Sequence, residues 1–269
     1  MTAPTNPSLP SKPVTAPSPP PSPDAPAYVF RGEGHGPLQR LAWNTGRLIS
    51  RILSILLFRL HVSGQSNIPK TGGVLMVSNH QSFLDPWLIG IAPSRQVHYM
   101  ARDTLFKGGF LHWLMELLNA FPVKRGAADL TAIRTAVERL DKGFLLNIFP
   151  EGTRSEDGSI GHIAPGVSLI LNRCKSDITI VPVCIDGAFE AWPRTSRFPH
   201  PHAIRIRHGA PIAAAEWRQL SPDALAVRLR SDLVRLQAAM NSAHAARSQQ
   251  RLAEALAAPA GGGSARRRR

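Results

Sequence analysis

A short apolar run, Val74-Leu75-Met76-Val77, leads straight into Asn79-His80-Gln81-Ser82-Phe83-Leu84-Asp85, which sets an imidazole and a carboxylate five residues apart at the mouth of a strand. On a continuous helix, five residues would put His80 and Asp85 about 140° apart. The two side chains can therefore meet only if the intervening segment leaves the helix and doubles back as a loop. Pro86 fits this reading, because it disfavours helical geometry at Asp85 and suits the first position of a new helix. Asp85 is then expected to be the N-cap of a helix opening at Pro86-Trp87-Leu88-Ile89.

A second block repeats the pattern. The run Leu145-Leu146-Asn147-Ile148 leads into Phe149-Pro150-Glu151-Gly152-Thr153-Arg154-Ser155, again placing charge beside a glycine after a strand. Further strands are expected near 97–101, 178–185 and 203–208, with 74–78 and 145–149 beside them; in the last, Ile204 and Ile206 alternate with Arg205 and Arg207. Helices are expected over 129–142, capped by Asp129 and stopped by Gly143, and over 222 to about 241, begun by Ser221 and Pro222. That last helix aligns Leu225, Leu229, Leu233, Leu236 and Met240 as a packing face. The segment Leu105 to Leu118 reads as an apolar helix that walls an apolar tunnel, touches lipid or is simply buried core. The fold class that follows is α/β, a sheet flanked by helices.

The two blocks and their order carry a resemblance to the glycerolipid acyltransferase family, which includes 1-acylglycerol-3-phosphate acyltransferases. Asn79-His80 through Asp85 is similar to the family's H-x4-D block, and Phe149 to Arg154 to its F-P-E-G-T-R block. Phe121-Pro122-Val123-Lys124-Arg125-Gly126 stands at the acceptor-phosphate block, and Val181-Pro182-Val183-Cys184-Ile185 at the short proline-containing strand block. The acceptor-phosphate block departs from the usual Asp-Arg by reading Lys124-Arg125. Arg102 stands where the family usually has a lysine, so the charge is kept but the fork geometry differs.

The resemblance implies a mixed, largely parallel sheet and an acyl transfer from acyl-CoA or acyl carrier protein to the free hydroxyl of 1-acylglycerol 3-phosphate, giving phosphatidic acid. Glycerol 3-phosphate or another lysolipid is an alternative acceptor. His80 is then the general base, held by Asp85 in one tautomer. Arg102, Arg125 and Arg154 are the phosphate candidates, since a guanidinium fork suits phosphate oxygens. Glu151 is expected to help hold the acceptor, through a glycerol hydroxyl or by fixing an arginine. Backbone N–H groups around Gly152 and Thr153 face phosphate or oxyanion. Ser82 lacks the G-x-S-x-G context of a hydrolase nucleophile, so direct transfer without an acyl-enzyme is expected.

Composition sets bounds on this reading. At 269 residues and 43% hydrophobic content the chain can bury one substantial core. Residues 1–27, dense in proline, read as a disordered tail with no secretion-signal pattern, and 248–269, ending Gly261-Gly262-Gly263-Ser264-Ala265 and four arginines, as a flexible basic tail. Residues 67–247 are left for the acyltransferase domain, and 28–66 for an amphipathic helical region. Within it, Leu38 to Leu60 places Arg40, Arg47 and Arg51 on one side and Leu41, Leu48, Ile52, Ile55 and Leu56 on the other.

The formal charge of +14, still +10 without the last four arginines, calls for a polyanionic partner or surface. An anionic membrane fits better than nucleic acid, for which the chain has no RNP-like run, zinc-finger spacing or helix-turn-helix. A non-enzymatic membrane- or nucleic-acid-binding protein is the reading of a different class. The longest charge-free apolar run, Ile52 to Phe58, is too short to span a bilayer. A monotopic protein on the cytoplasmic leaflet is expected, with Arg47, Arg51 and Arg59 near headgroups and Trp43 at the interface. The competing expectation is an ordinary helix covering the domain's own core. Cys174 and Cys184 offer no disulfide framework, and the scattered histidines no metal spacing, so no cofactor is expected beyond the acyl thioester co-substrate.

Overall fold

A computed structural model describes residues 37–109, 112, 115, 119–124 and 129–257. Seven strands form one sheet: β1 His61–Ser63, β2 Val74–Ser78, β3 Val97–Arg102, β4 Ala120–Val123, β5 Leu145–Ile148, β6 Thr179–Asp186 and β7 Arg205–His208. Their spatial order is β1-β7-β6-β2-β5-β3-β4. All neighbours run parallel except β6 and β7, so β4, β3, β5, β2 and β6 share one direction. Parallel strands buried on both faces read as continuous apolar runs, as β2 does.

Alternation along the strands supplies two cores. Leu75, Val77, Leu146 and Ile148 pack on one face against Ala136 and Leu140 of the helix Leu130–Asp141 and against Leu225, Leu229 and Leu233 of the helix Pro222–Ala257. Val74, Met76, Val181 and Val183 pack on the other, against Phe58 of α1 (Pro37–Phe58) and Leu88 and Ile89 of α2 (Asp85–Ile91). The result is a sheet with helices on both faces, as expected of a mixed, largely parallel α/β fold.

The sequence locates the buried elements well. β2 matches its expected span, and β3, β5 and β6 shift by a residue at their ends. Asp129 caps the helix Leu130–Asp141 by accepting from the Thr131 and Ala132 N–H groups, and Gly143 stops it at φ +84°. Such a cap contributes about 1 kcal/mol.

Four expectations need correction. Asp85 is not an N-cap: Leu84 occupies that position, and the Asp85 carboxylate turns back into the preceding loop. Strands β1 and β4 were not expected, being short, with Pro122 inside β4; a proline is tolerated there because β4 is the sheet edge. β7 starts at Arg205, two residues later than expected. The last helix runs on to Ala257, into the segment assigned to the tail, because residues 242–257 are rich in Ala, Gln, Arg and Leu, and glycine and proline are absent from them.

α1 also departs from expectation in its orientation. Ser54 and Phe58 are buried, Arg47 and Arg51 half-buried, and an Arg47 Nη donates to the Pro93 carbonyl at 2.8 Å. The arginine stripe therefore lies against the domain, where headgroup contact for Arg47 and Arg51 was expected. Leu48, Ile52, Ile55 and Leu56 face outward, Leu56 with 72% of its surface exposed. Arg59 is exposed, and the side chains of Arg40 and Trp43 lie outside the described residues. Among the described residues no helix is long and apolar enough to cross a membrane.

Candidate active site

Five parallel neighbours ending on the same side deliver their following loops to one edge of the sheet, the usual place for a site in an open α/β fold. β2 and β5 are adjacent in register, Val77 opposite Ile148, so the His80 and Glu151 blocks leave the sheet side by side. β6 flanks β2 with Ser78 opposite Val183, and β3 flanks β5 and ends in Arg102.

His80 Nδ1 and Asp85 Oδ2 lie 2.7 Å apart. The same oxygen accepts the Gln81 N–H at 2.6 Å and the Ser82 N–H at 2.7 Å, and the Asp85 residue is fully buried. A carboxylate oxygen that gathers backbone donors also acts as acceptor towards the ring, which places the proton on Nδ1 and a lone pair on Nε2. The imidazole stacks on Phe149, with centroids 4.2 Å apart and planes 22° from parallel. Its plane is thus fixed from the second block. Behind it, the Asn79 side chain exchanges two 2.8 Å hydrogen bonds with the Ile185 backbone, tying the loop to β6.

Glu151 is half-buried and both its oxygens are engaged. Oε1 accepts the His80 N–H at 3.0 Å and Oε2 accepts the Gly161 N–H at 3.3 Å. Burial raises its carboxyl above the usual range, while those two hydrogen bonds pull the other way. The Ser155 N–H donates to the His80 carbonyl at 2.7 Å, so the blocks are laced together twice, once backbone to backbone and once through the Glu151 side chain. Gly152 turns the chain at φ +67°, and its N–H donates to the Phe149 carbonyl at 3.0 Å, an internal use where a ligand had been expected. Thr153 is exposed.

The Arg154 guanidinium lies 3.5 Å from the Phe83 ring centroid, and one of its Nη atoms is buried with no hydrogen-bond partner among the described residues. Burial, then the charge of Arg194, draws it below the usual arginine range, with Arg102 adding to the effect. Arg102 is exposed at the end of β3. Arg125 lies outside the described residues, as does most of the 110–118 segment expected to form an apolar helix.

Three residues of this neighbourhood gave no signal in the sequence. Arg230, on the last helix, donates to the Ile160 and Gly161 carbonyls at 3.1 Å each, bracing the turn that holds Glu151. Gly161 lies close to the site: a Cβ there would stand 3.0 Å from Glu151 Oε2, a tight approach that the carboxylate would have to relieve by shifting. Arg194 follows β6 and reaches the surroundings of Arg154. All three come from loops or helices remote in sequence, where spacing carries no information. Among the described residues no group of three or more His, Cys, Asp or Glu side chains is placed to hold a metal ion.

Comparison with known proteins agrees with this geometry. Residues 59–186 match the family described as Acyltransferase. Over 142 residues the chain is 28% identical to the chloroplastic 1-acyl-sn-glycerol-3-phosphate acyltransferase LPAT1 of Arabidopsis thaliana, covering 52% of this chain and 39% of that protein. Over 97 residues it is 30% identical to the 1-acyl-sn-glycerol-3-phosphate acyltransferase of Bacillus subtilis, covering 36% of this chain and 49% of that protein. The chain thus spans less than half the length of these two curated relatives. The crystal structure of the 1-acyl-sn-glycerophosphate acyltransferase PlsC from Thermotoga maritima shares the fold, with a TM-score of 0.62 at 23% identity over 73% of this chain and 79% of that one. With its four blocks in family order and the first and third laced together at one end of the sheet, the chain matches the acyltransferase family over residues 59–186.

Proposed function

We propose that this protein moves a fatty acyl group from a thioester to the free hydroxyl of 1-acylglycerol 3-phosphate, with His80 as general base. The observation that carries this reading is the 2.7 Å contact between His80 Nδ1 and the buried Asp85 carboxylate, which leaves Nε2 as the proton acceptor. As the acceptor oxygen attacks the thioester carbonyl, its proton passes to Nε2 and a C–O bond forms. The tetrahedral intermediate then expels the thiol, the C–S bond breaks, and the proton returns from Nε2 to the leaving sulfur. Asp85 keeps the ring in one tautomer and stabilises the transient imidazolium, an arrangement that contributes about 10² to 10⁴ in rate.

The acceptor alcohol fills the role that a serine has in hydrolases. Ser82 is engaged elsewhere, its hydroxyl donating to the Trp192 carbonyl at 3.0 Å and accepting the Leu84 N–H at 3.3 Å. Burial raises the Cys174 thiol to about 11 and pushes the buried Cys184 thiol higher still, so neither supplies a thiolate near neutrality. Arg154, with Arg102 and Arg125, is assigned to the acceptor's phosphate. The donor is acyl-CoA or acyl carrier protein, and both acidic donors suit a chain of +14.

The outward apolar stripe of α1 supports attachment to one leaflet of a membrane, the cytoplasmic one in this reading, where the lipid acceptor resides. The test is a radiolabelled acyl-transfer assay over lysophosphatidate, glycerol 3-phosphate and other lysolipids with both donor types. His80→Ala is expected to lower kcat at least about 10³-fold with little change in KM. Transfer persisting within ten-fold of wild type, or a stable acyl adduct on Ser82, Cys174 or Cys184, would overturn the mechanism.

A further inference from the structure

The turn that follows β6 carries an arginine outside all four sequence blocks. β6 runs parallel to β2, so this turn rises from the same end of the sheet as His80. The Ser82 hydroxyl fastens it by donating to the Trp192 carbonyl, and the Ser196 N–H closes Pro193-Arg194-Thr195-Ser196 on the Pro193 carbonyl at 3.1 Å. The Trp192 indole N–H donates to the Ser196 carbonyl, also at 3.1 Å, which stiffens the turn. Phe83, next to Ser82, lies between the Trp192 ring, 5.5 Å away, and the Arg154 guanidinium, 3.5 Å away. Arg194 is thereby held near Arg154 through Trp192 and Phe83.

The charge balance here is one-sided. Among the described residues Arg194 faces a single carboxylate, Glu156, at 3.5 Å, and Glu156 is largely in solvent, so the pair is weak. The Asp85 oxygen nearest the ring is occupied by His80, Gln81 and Ser82, and Glu151 by the backbone of His80 and Gly161. Arg154 makes no ion pair among the described residues, and Arg102 stands on the far side across β5. The mutual repulsion is felt at Arg154, which Arg194 and Arg102 both push below its usual range after burial has done so. The Asp85 charge offsets part of this repulsion, yet no carboxylate pairs with Arg154 among the described residues; guanidiniums held together with so little internal counter-charge are arranged for an external anion, and the planar fork suits phosphate oxygens.

The geometry points to Arg194 as a further binding residue for the phosphate monoester of the acceptor, closing on it opposite Arg154. This rests on the acyltransferase reading above and adds to it a residue and a side of approach. Acyl-CoA carries a phosphate monoester as well, on its ribose, and the experiment separates the two. In steady-state assays with lysophosphatidate, Arg194→Ala is expected to raise the acceptor KM about ten-fold, the loss typical of one charge-assisted hydrogen bond, with kcat and donor KM within about two-fold. Arg194→Lys is expected to recover part of the loss, and Arg194→Glu to deepen it.

The same variants are titrated with glycerol 3-phosphate by calorimetry without donor, where Arg194→Ala is expected to weaken binding at least five-fold. Failure of wild type to acylate lysophosphatidate would sink the functional reading but leave this titration standing as the test of Arg194. Equal affinity in wild type and Arg194→Ala, or a rise confined to the acyl-CoA KM, would overturn the assignment.

Discussion

The backbone N–H of His80 donates to Glu151 Oε1 at 3.0 Å, so the carboxylate of one sequence block holds the peptide of the other. With Oε2 on the Gly161 N–H, Glu151 acts as a brace between two turns. A brace and a substrate ligand respond differently to substitution. Glu151→Gln keeps one acceptor but turns an amide NH₂ towards the Gly161 or the His80 N–H, which loosens the His80 loop. We expect kcat to fall about 10²-fold, as misplacement near 1 Å typically costs, with acceptor KM within about three-fold. A KM effect much larger than the kcat effect would restore Glu151 to the acceptor.

The brace continues outward to the last helix, where Arg230 holds the Ile160 and Gly161 carbonyls. Arg230→Gln is expected to lower kcat about three- to ten-fold with the pH profile of kcat unchanged and KM unaffected. Because Arg230 is exposed, the melting temperature should move little. A large loss of stability at unchanged kcat would confine Arg230 to the fold.

How much of this was legible in the sequence depended on range. β2 and the Leu130–Asp141 helix were read residue by residue, because a fully buried apolar run and an aspartate cap with a glycine stop are local signals. The His80 and Asp85 pairing followed from spacing and Pro86. Yet Asp85 was given the wrong job as a helix cap, since a carboxylate can face either way from that position and only the packed loop decides. Gly161 and Arg230 lie 10 and 79 residues beyond Glu151, and Arg194 lies 40 beyond Arg154; chain folding alone brings them together, so no motif announced them.

Acid stability follows from a second histidine. His98 on β3 is buried against Phe144, and burial, reinforced by Arg139 and Arg95, lowers it to about 3. Between pH 6.5 and about 3 the unfolded chain takes up a proton that the folded chain refuses, so stability falls as pH drops through that window, by up to about 1.4 kcal/mol per pH unit. His208, also lowered by burial, acts in the same direction. Urea midpoints of wild type and His98→Leu at pH 7 and pH 4.5 check this. The variant should lose less on acidification, and parallel losses would refute the assignment.

Lipid attachment is testable on α1 alone. Leu48, Ile52 and Leu56 are each about half exposed or more, so changing all three to serine should leave the folding midpoint nearly unchanged. Flotation with anionic vesicles is expected to fall at least about ten-fold. Undiminished flotation would show that this stripe is not what meets the bilayer.

The close approach at Gly161 has a consequence for any survey of tolerated substitutions. A methyl group at that position would press against an oxygen already fixed by the loop beneath it, and the displacement would travel through one carboxylate to the reacting imidazole. A saturation library screened for turnover should therefore show position 161 depleted of large side chains, though nothing about a glycine seven residues past the Glu-Gly-Thr-Arg turn advertises it.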